Sequence, residues 1–525
     1  MLNIHKGYFV YLSIMFFFNT HIYFSIFSLL LTFGSSFVFS SNKVCKDKRQ
    51  FYLRNKFAPV SEEKTISVFH NNELFNKMSD SFFGQIGSNP KHVENEDYHW
   101  FDGDGMIHGL FINNSLLTYQ NRWIKTKRLE VEDKWNKKMY LYFGELKGIQ
   151  GMFQIMKYSF MEFFKFIPRA SGTANTAFLK WKNRLFALHE GDMPYELNID
   201  TVIRNISTLG RIQYPSIHST TAHPITDKAR NLLYLYGYNN YDFLKGNFIF
   251  NIFNDKMDLL QQKNISLINN GMTHDVGFTG NHIIIPDMPL KYDVSRILKQ
   301  KLPLFFDKKN GLTRFGLLNV DLLKEPKWFH FDENFFIFHF ARSYETKDEF
   351  VIYACMMDDL FMEDFVDLEN MENEKHIIRG DIRLKEIRID PNNNKTKITE
   401  NNKIQDLGLD FYYNLDFPLV SKVDPRFVYC TIFDAAEAYI RGYVKIDTQN
   451  FKHAEPTLFL FDKKMHGNSE PQLTVIEDVE YILTFNNDDE KSYISLIDIE
   501  NKNISSVQIP TRIPPGFHSI YYEHD

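Results

Sequence analysis

The sequence predicts an all-β fold, because three features recur along most of its 525 residues. Short runs of β-branched and aromatic residues, such as NHIIIPDMPL, FFIFHFARSY and EFVIYACMM, have the length and composition of strands. Turn sequences such as DG, KN and NND separate such runs. No regular alternation of strands with helices is visible. This pattern favours a β-propeller or a pair of β-sandwiches and does not choose between them.

Residues 1–56 are predicted to be a hydrophobic leader with a basic continuation. From Gly7 to Phe39 the chain is mostly Phe, Ile, Leu, Val and Tyr, with one polar break, NTH. The apolar part has the length of a signal peptide or a marginal membrane span, and basic residues follow it up to Lys56. We therefore expect a signal peptide, an anchor or an organelle-targeting segment. Such a leader predicts a membrane-associated protein that enters the secretory route, with a plastid-type organelle as a further destination.

The rest of the chain is predicted to contain a linker and one large β domain. Residues 57–90 are mixed and polar, which predicts a linker or N-terminal segment with one short helix. Residues 91–525 form the domain, with insertions near 145–167 and 390–406. The first insertion contains KGIQGMFQIMKYSFMEFFKF, whose apolar residues recur three or four positions apart, as in an amphipathic helix. The second, DPNNNKTKITENNKIQD, has low complexity and predicts a solvated loop.

The composition excludes several classes of function. The formal net charge is -6, so no basic field is present that would attract nucleic acid. The three cysteines, Cys45, Cys355 and Cys430, are far apart and form no CxxC pair, which argues against a disulfide framework or a thiolate zinc site. Phe occurs 51 times and fills the core in the simplest interpretation, although some of these rings could line a pocket for a long apolar ligand.

Four of the 18 histidines share a pattern. His223, His274, His339 and His518 each lie at or beside a short strand-like stretch, and long intervals separate them. This spacing excludes a local metal motif and is what a radial fold would give if each blade supplied one ligand. Neutral imidazoles suit divalent iron, copper, nickel and zinc. A single buried histidine is more often a hydrogen-bonded core residue, so the pattern alone leaves the metal and its role open.

Many motifs in a fixed order identify a family resemblance. They include YHWFDGDGMIHGLF, GTANTAFLKWKNRLFALHEGDMPYEL, TTAHPITD, MTHDVGFTGNHIIIPDMPL, WFHFDENFFIFHFARSYE, LDFPLV, AEPTLF and PPGFHSIYY. The chain resembles the carotenoid cleavage oxygenases and looks closest to their plant and cyanobacterial branch. The resemblance covers most of the chain outside the leader.

The resemblance implies a seven-bladed β-propeller with a cap of helices and loops over an axial metal site. The implied cofactor is a non-haem Fe(2+) held by His223, His274, His339 and His518. Other histidines of the matching stretches, namely His108, His282 and His330, fall off the ligand positions and are interpreted as structural or surface residues.

The resemblance also implies carboxylates that accept hydrogen bonds from the far ring nitrogens of metal-binding histidines, which fixes their orientation. The motifs place these carboxylates at Glu190, Glu455 and Asp416. Asp416 replaces the glutamate of the family's EFP motif and is one methylene shorter. A second departure is Arg342, where the family has asparagine. It is expected to pair with Glu345 or an acidic loop, or to meet a polar end of the substrate.

The implied reaction is the oxidative cleavage of a conjugated C=C bond of a carotenoid or apocarotenoid by O2, with carbonyl products. The expected partners are O2, an apolar polyene and a membrane surface, and no nucleic acid. Two alternatives remain open. A retinoid isomerase or a stilbene-cleaving enzyme uses the same fold, and a non-catalytic propeller would only bind an apolar ligand.

Overall fold

Antiparallel β-strands make up most of the chain that the computed structural model describes, which is residues 51–93, 98–168, 172–238, 246–362, 380–488 and 490–524. The leader predicted over residues 1–56 lies outside these ranges up to residue 50. Within the described ranges the strands form seven four- or five-stranded blades, so the propeller prediction is confirmed.

The strands are numbered in chain order, and each blade takes four consecutive strands with few exceptions. Blade one contains β1 Lys64–Phe69, β2 Ser81–Ser88, β3 Gly105–Asn113 and β4 Leu116–Trp123, blade two contains β5 Ala177–Trp181, β6 Arg184–Leu188, β7 Tyr195–Asp200 and β8 Asn205–Arg211, and blade three contains β9 Ile225–Asp227, β10 Leu232–Gly237, β11 Asn247–Phe253 and β12 Leu259–Ser266. Blade four contains β13 Gly277–Phe278, β14 His282–Asp287, β17 Arg314–Asn319 and β18 Lys327–His330, with the ribbon β15 Leu290–Tyr292 and β16 Leu304–Phe306, and blade five contains β19 Phe336–Glu345, β20 Phe350–Met357, β21 Ile382–Asp390 and β22 Lys395–Thr399. Blade six contains β23 Tyr413–Val420, β24 Phe427–Asp434, β25 Tyr439–Asp447 and β26 Thr457–Leu460, and blade seven contains β28 Gln472–Ile476, β29 Val479–Asn487, β30 Ser492–Asp498 and β31 Ile504–Ile509.

The two ends of the described chain close the ring. The last strand, β32 (Ser519–Glu523), pairs antiparallel with β2 of the first blade, in the register Ser81↔Glu523 to Gln85↔Ser519. The first blade therefore has the strand order β1-β4-β3-β2-β32. Blades six and seven are joined into one sheet by the short β27 (His466–Gly467), which pairs with both β25 and β29. The radial arrangement of blades leaves only short, protected sheet edges, which is how propellers avoid exposed edge strands.

Adjacent blades pack face to face, which explains the composition of their central strands. Every residue of β2 and of β20 is buried. One core cluster joins Tyr234 and Phe248 of blade three to Ile283 and Leu318 of blade four. Because both faces of a blade contact other side chains, a strand such as β20, FVIYACMM, can be a continuous apolar run without a polar face. A strand with one exposed face would instead alternate apolar and polar residues.

Helices are few and belong mainly to the cap. The α-helices of the described ranges are α1 Glu73–Asn76, α2 Lys127–Trp135, α3 Gly148–Phe163 and α4 Asn402–Gln405. Short 3-10 turns lie at Phe51–Leu53, Asn55–Phe57, Trp100–Asp102, Phe143–Glu145, Val294–Lys299 and Phe451–His453.

Helices α2 and α3 form where the sequence favours them. Helix α2 begins after Thr126, whose hydroxyl accepts a hydrogen bond from the Leu129 backbone N–H, and ends at Asn136 in the left-handed conformation. Helix α3 lies within the predicted insertion at 145–167 and packs against the turn Val294–Lys299.

Two predicted boundaries differ from the structure. Residues 57–90 are not a linker, because β1 and β2 lie within them and belong to the first blade. The segment 390–406 contains β22 and α4 as well as a turn. The polar residues of KTKIT in β22 obscured the strand, because the outermost strand of a blade exposes one side to solvent. Within the described ranges, no helix is both long enough and apolar enough to cross a bilayer.

Candidate metal centre

The four histidines predicted as ligands lie on, or shortly before, the end strands of their sheets. His223 precedes β9, His274 precedes β13 and His518 directly precedes β32, whereas His339 lies inside β19. Each of these strands is the end strand of its sheet that faces the propeller axis. Residues at equivalent positions of different blades therefore meet at the axis, although they are far apart in the chain.

The structure brings the four imidazoles together. One nitrogen from each ring can be chosen so that all four lie within 4.8 Å of one another. The Nε2 atoms of His223 and His274 are 3.0 Å apart. Ring centroids of neighbouring pairs lie 4.5 to 5.1 Å apart. Such convergence of nitrogen lone pairs without intervening side chains is the geometry of a shared metal ion.

Three carboxylates contact the outer nitrogens of three of the rings. Oε1 of Glu190 lies 2.5 Å from Nδ1 of His274. Oδ1 of Asp416 lies 2.7 Å from Nδ1 of His339. The third carboxylate belongs to Glu470, whose Oε2 lies 3.1 Å from Nδ1 of His518. These contacts turn Nε2 of each ring toward the common centre and favour the tautomer that leaves this nitrogen free to bind a metal.

The structure corrects the prediction for Glu455. Its carboxylate is exposed and contacts Lys403 at 3.5 Å, away from the histidines. Both Glu455 and Glu470 precede a proline, and the prediction chose the first of these two Glu-Pro pairs. Glu455 leads into β26, an outer strand of blade six, whereas Glu470 leads into β28, which lies next to β32 at the axis. Glu470 therefore lies near the propeller axis and Glu455 near the outer edge of blade six. This difference becomes visible only when the strands have been assigned to blades.

A β-bulge accompanies the shorter side chain of Asp416. The pairing of β23 with β24 shifts register between Asp416 and Leu419. Phe417 lies inside this bulge with φ 47°, a left-handed conformation that is unusual for a residue with a side chain. Bulges redirect side chains from the regular pleat. Asp416 reaches His339 directly within this local geometry, and no bridging group is needed.

The electrostatics keep two of the rings neutral. Burial, together with the neighbouring imidazoles, lowers the pKa of His223 well below its ordinary value. Burial also lowers the pKa of His518, against the opposing effect of Glu470. A neutral imidazole offers the lone pair that a metal needs.

The other two rings are influenced by their carboxylates. Burial lowers the pKa of His339, but the charge and hydrogen bond of Asp416 outweigh it and the pKa is raised overall. Burial opposes ionisation of Glu190, but the charge and contact of His274 outweigh it and lower the pKa of Glu190 to about 2. Anionic carboxylates behind the imidazoles increase ligand basicity.

Backbone contacts fix the segments that carry two of the histidines. The Tyr236 hydroxyl donates a hydrogen bond to the backbone carbonyl of His274 at 3.0 Å, and the Tyr236 carbonyl accepts one from the Thr221 backbone N–H at 2.5 Å. Gly271 precedes His274, and a Cβ at this position would lie 1.2 Å from the Leu290 carbonyl oxygen. Only glycine permits this close approach.

The residues fit a divalent transition-metal ion. Nε2 of His339 is buried, and within the described residues it has no hydrogen-bond partner. A buried nitrogen without a partner is costly unless a further group binds it. Four imidazoles and no directly bound carboxylate form a donor set suited to iron, cobalt, nickel, copper or zinc.

A large apolar cavity reaches three of the four histidines. Its volume is about 680 Å³. His274, His339 and His518 lie in its wall, and aromatic side chains surround them, including Trp100, Phe338, Phe417, Phe433 and Phe517. Farther out, Ile155 of α3 and Ile297 of the neighbouring turn contribute to the wall. The cavity can hold a long apolar molecule with one part beside the metal site.

The remaining sequence predictions have simple structural outcomes. Arg342 donates a hydrogen bond to the Thr448 hydroxyl at 3.2 Å and lies over the Tyr344 ring, so it meets neither Glu345 nor the cavity. Glu345 instead contacts His282 at 2.9 Å. His108 pairs with the Tyr119 hydroxyl, and His330 is exposed at the end of β18, so both lie away from the centre.

Comparison with known proteins gives a consistent result. The family model described as RPE65, retinal pigment epithelial membrane protein, matches residues 80–523. A relative from Pisum sativum, named carotenoid 9,10(9',10')-cleavage dioxygenase 1, is 28% identical over 520 residues, which is 90% of this chain and 90% of the relative. Relatives from Arabidopsis thaliana and Oryza sativa carry the word chloroplastic in their names.

Solved structures share the fold. The Synechocystis apocarotenoid oxygenase, as its Glu150Asp mutant, superposes with a TM-score of 0.70 at 17% identity and covers 89% of this chain and 97% of its own. Lignostilbene dioxygenase from Pseudomonas brassicacearum gives a TM-score of 0.71 at 15% identity, with coverage of 90% and 98%. At these identities the similarity shows the propeller fold.

Proposed function

We propose that this chain, which belongs to the RPE65 family, is an Fe(2+)-dependent dioxygenase that cleaves a conjugated C=C bond of a carotenoid or apocarotenoid. The observation that carries the proposal is the position of four converging imidazoles at the inner end of an apolar cavity of about 680 Å³. Four imidazoles suit Fe(2+), and a large apolar cavity suits a polyene.

The reaction requires one alkene and one O2. Both atoms of O2 are transferred, the C=C bond is broken, and two carbonyl groups form, so no further oxidant or reductant is needed. Bound Fe(2+) supplies the redox centre for this exchange. His223, His274, His339 and His518 would hold the ion, and Glu190, Asp416 and Glu470 fix the orientation of three of these rings.

The protein's own contribution is positioning and exclusion of water. The centroid of the Phe417 ring lies 5.2 Å from the centroid of the His339 ring and 5.0 Å from that of the His518 ring. Phe417 also forms part of the cavity wall. A polyene in the cavity would lie along this ring with a double bond next to the metal site. Apolar walls also keep bulk water from the reacting carbons.

A membrane surface is the proposed source of the substrate. Six exposed apolar side chains form what we call the phenylalanine patch: Ile149, Phe153, Phe160, Phe163, Phe164 and Phe166. Their exposed fractions range from 53% to 71%. Helix α3, which carries Ile149, Phe153, Phe160 and Phe163, also supplies Ile155 to the cavity wall. Exposed apolar clusters of this kind favour contact with lipid, where polyenes are dissolved.

The compartment is proposed from the names of relatives. The chloroplastic relatives suggest a plastid-type organelle for this chain as well. The hydrophobic leader over residues 1–56 would serve as the targeting segment, through the secretory route or directly.

Product analysis tests the function. Purified protein is loaded with Fe(2+) and given carotenoids, apocarotenoids, a retinyl ester and a stilbene under 18O2, and the products are identified by mass spectrometry. We expect carbonyl products labelled with 18O from at least one polyene. His274→Ala should lose both iron and cleavage, whereas the matched surface variant His330→Ala should keep both.

Other outcomes distinguish the alternatives. Geometric isomers without carbonyl products would favour the isomerase, and cleavage of the stilbene alone would favour that substrate class. Iron retention without turnover of any compound would favour a binding protein. A wild-type protein that retains no iron would contradict the proposal at its first step.

A further inference from the structure

A second, smaller cavity reaches the four histidines. Its volume is about 340 Å³, and it opens to solvent. His518 lies in the walls of both cavities, whereas His223 lies only in the second. Thr176, just before β5, lines the first cavity, and the residues of β5 up to Lys180 line the second. The histidine cluster therefore lies between the two cavities. We call the second one the axial well.

The walls of the axial well differ in chemistry from those of the large cavity. Polar side chains dominate its lining: His223, Thr226, Asp275, Glu470, His518 and Ser519. Two carboxylates are among them, and Lys180 is the one lysine or arginine. The ammonium group of Lys180 lies over the Tyr522 ring, 3.9 Å from its centre.

His223 is the ring most accessible from this side. It is partly exposed, while the other three histidines are buried. It is also the one ring of the four for which no carboxylate contact exists in the described residues. Its Nε2 faces His274, and its ring lines the axial well but not the large cavity.

We propose that the axial well is the route by which the metal ion enters and leaves the four-histidine site. This inference rests on the metal-holding part of the proposed function and is independent of the oxygenase reaction. The large cavity would then serve the polyene alone, so bound substrate would not block metal exchange.

Desolvation makes the axial well the easier route. A divalent cation is strongly hydrated, and moving a charged group from water into an apolar environment carries a large cost unless polar partners replace its water. The large cavity offers mainly aromatic and aliphatic walls on the way to the site. In the axial well, the carboxylates of Asp275 and Glu470 and the hydroxyls of Thr226 and Ser519 can replace water molecules step by step.

The charges of the axial well also affect the rate of entry. Carboxylates in a narrow opening raise the local concentration of cations, and a lysine at the same opening lowers it. Lys180 is exposed on the strand β5, so its side chain can be replaced without altering the core. This makes its charge a direct probe of the route.

The experiment follows the binding of Co(2+) to metal-free protein. Its visible absorption bands report occupancy of the site without any turnover, and stopped-flow mixing gives the loading rate. Lys180→Glu should increase this rate about threefold at low salt, and the increase should shrink at high salt. Lys180→Met should give a smaller increase of the same sign.

Steric variants provide the second arm. Thr226→Phe narrows the axial well and should slow loading by about tenfold, equivalent to about 1.4 kcal/mol of barrier, with Thr226→Val as the matched control. Leu304→Trp narrows the large cavity instead and should leave the loading rate unchanged. Far-ultraviolet circular dichroism establishes that each variant is folded, and the Lys180 variants carry the test if Thr226→Phe does not fold.

The outcomes separate this inference from the proposed function. Equal loading rates in the wild-type protein, Lys180→Glu and Thr226→Phe would overturn the inference. Slower loading in Leu304→Trp alone would place the route in the large cavity and would also overturn it. A wild-type protein that binds no Co(2+) would instead contradict the metal site itself.

Discussion

Glu470 accepts a hydrogen bond from Nδ1 of His518 at 3.1 Å, although the two residues belong to different blades of the ring. Glu470 leads into β28, and His518 leads into the closing strand β32. The contact therefore exists only when the last strand has joined the first blade. It links closure of the fold to the orientation of a metal-binding imidazole.

The first prediction concerns this carboxylate. Glu470→Gln should weaken metal binding by about 10- to 100-fold, as is typical when the partner of a metal-binding histidine is changed. The amide keeps the shape but removes the negative charge behind the ring. Equilibrium titration with Co(2+) measures the effect.

Glu455→Gln is the matched control for that measurement. Its carboxylate is exposed and contacts only a surface lysine in the described structure, so the change should leave the metal affinity as in the wild-type protein. Weaker binding in Glu455→Gln than in Glu470→Gln would show that the wrong Glu-Pro pair has been assigned to the site.

The second prediction concerns Asp416. Asp416→Asn should weaken metal binding by about 10-fold or more, because His339 loses an anionic partner at 2.7 Å. Asp416→Glu keeps the charge and should weaken binding less, although its extra methylene must be accommodated beside the bulge at Phe417. The same Co(2+) titration compares the two variants. An equal loss of metal affinity in both would mean that the length of the side chain matters more than its negative charge.

The third prediction concerns the phenylalanine patch. If the proposed membrane contact holds, the double variant Phe160→Glu/Phe163→Glu removes two apolar rings from it and should lower turnover of a carotenoid embedded in vesicles by at least about tenfold. Turnover of the same carotenoid in detergent micelles should change little. Initial rates in the two media give the comparison.

Phe69→Glu provides the control for the patch. Phe69 lies on β1 and is 78% exposed, outside the phenylalanine patch. It should behave like the wild-type protein in vesicles and in micelles. An equal loss in vesicles for Phe69→Glu would argue against a specific lipid-contacting surface at α3.

The fourth prediction concerns pH and Asp102. Burial raises the pKa of Asp102 to about 6 from its ordinary value of 3.8, although the backbone N–H groups of Gly144 and Phe143 oppose the shift. Between these values the folded protein holds a proton that the unfolded chain has lost. The free energy of unfolding therefore decreases as pH rises from about 4 to about 6, with a contribution of about 3 kcal/mol from this group.

Asp102→Asn should remove this contribution. Denaturant unfolding at several pH values between 4 and 7 would measure the difference in stability between variant and wild-type protein. Relative to the wild-type protein, the variant should become more stable as pH rises through this window. A difference that stays constant with pH would show that Asp102 keeps an ordinary pKa in the folded protein.

Much of the fold could be predicted from the sequence. The apolar runs of β20 and the turn signals predicted strands, because such runs bury both faces of a sheet. The helical period of α3 was equally clear. The strands β1 and β2 were missed, because their blade also contains β32 from the other end of the chain, and no local pattern reports that pairing.

Local motifs named residues that the structure brings together, whereas a residue whose position depends on long-range packing was misplaced. The four histidines each stand in a distinctive motif, and the structure brings all four together. Glu470 and Glu455 share the same dipeptide, and the sequence prediction chose Glu455, whereas Glu470 is the residue that contacts His518. The sequence left the partner of Arg342 open between Glu345, an acidic loop and the substrate, and its hydrogen bond is to Thr448 on another blade.

The sequence by itself determined the all-β class, the family and the four imidazoles, because these depend on residue types and their local order. Only the tertiary structure decided which carboxylate supports His518, how Asp416 reaches His339, and that a polar well approaches the site from the side away from the apolar cavity. The physical reason is that these features depend on distances between blades. Such distances are fixed by long-range strand pairing and packing, which short segments do not encode.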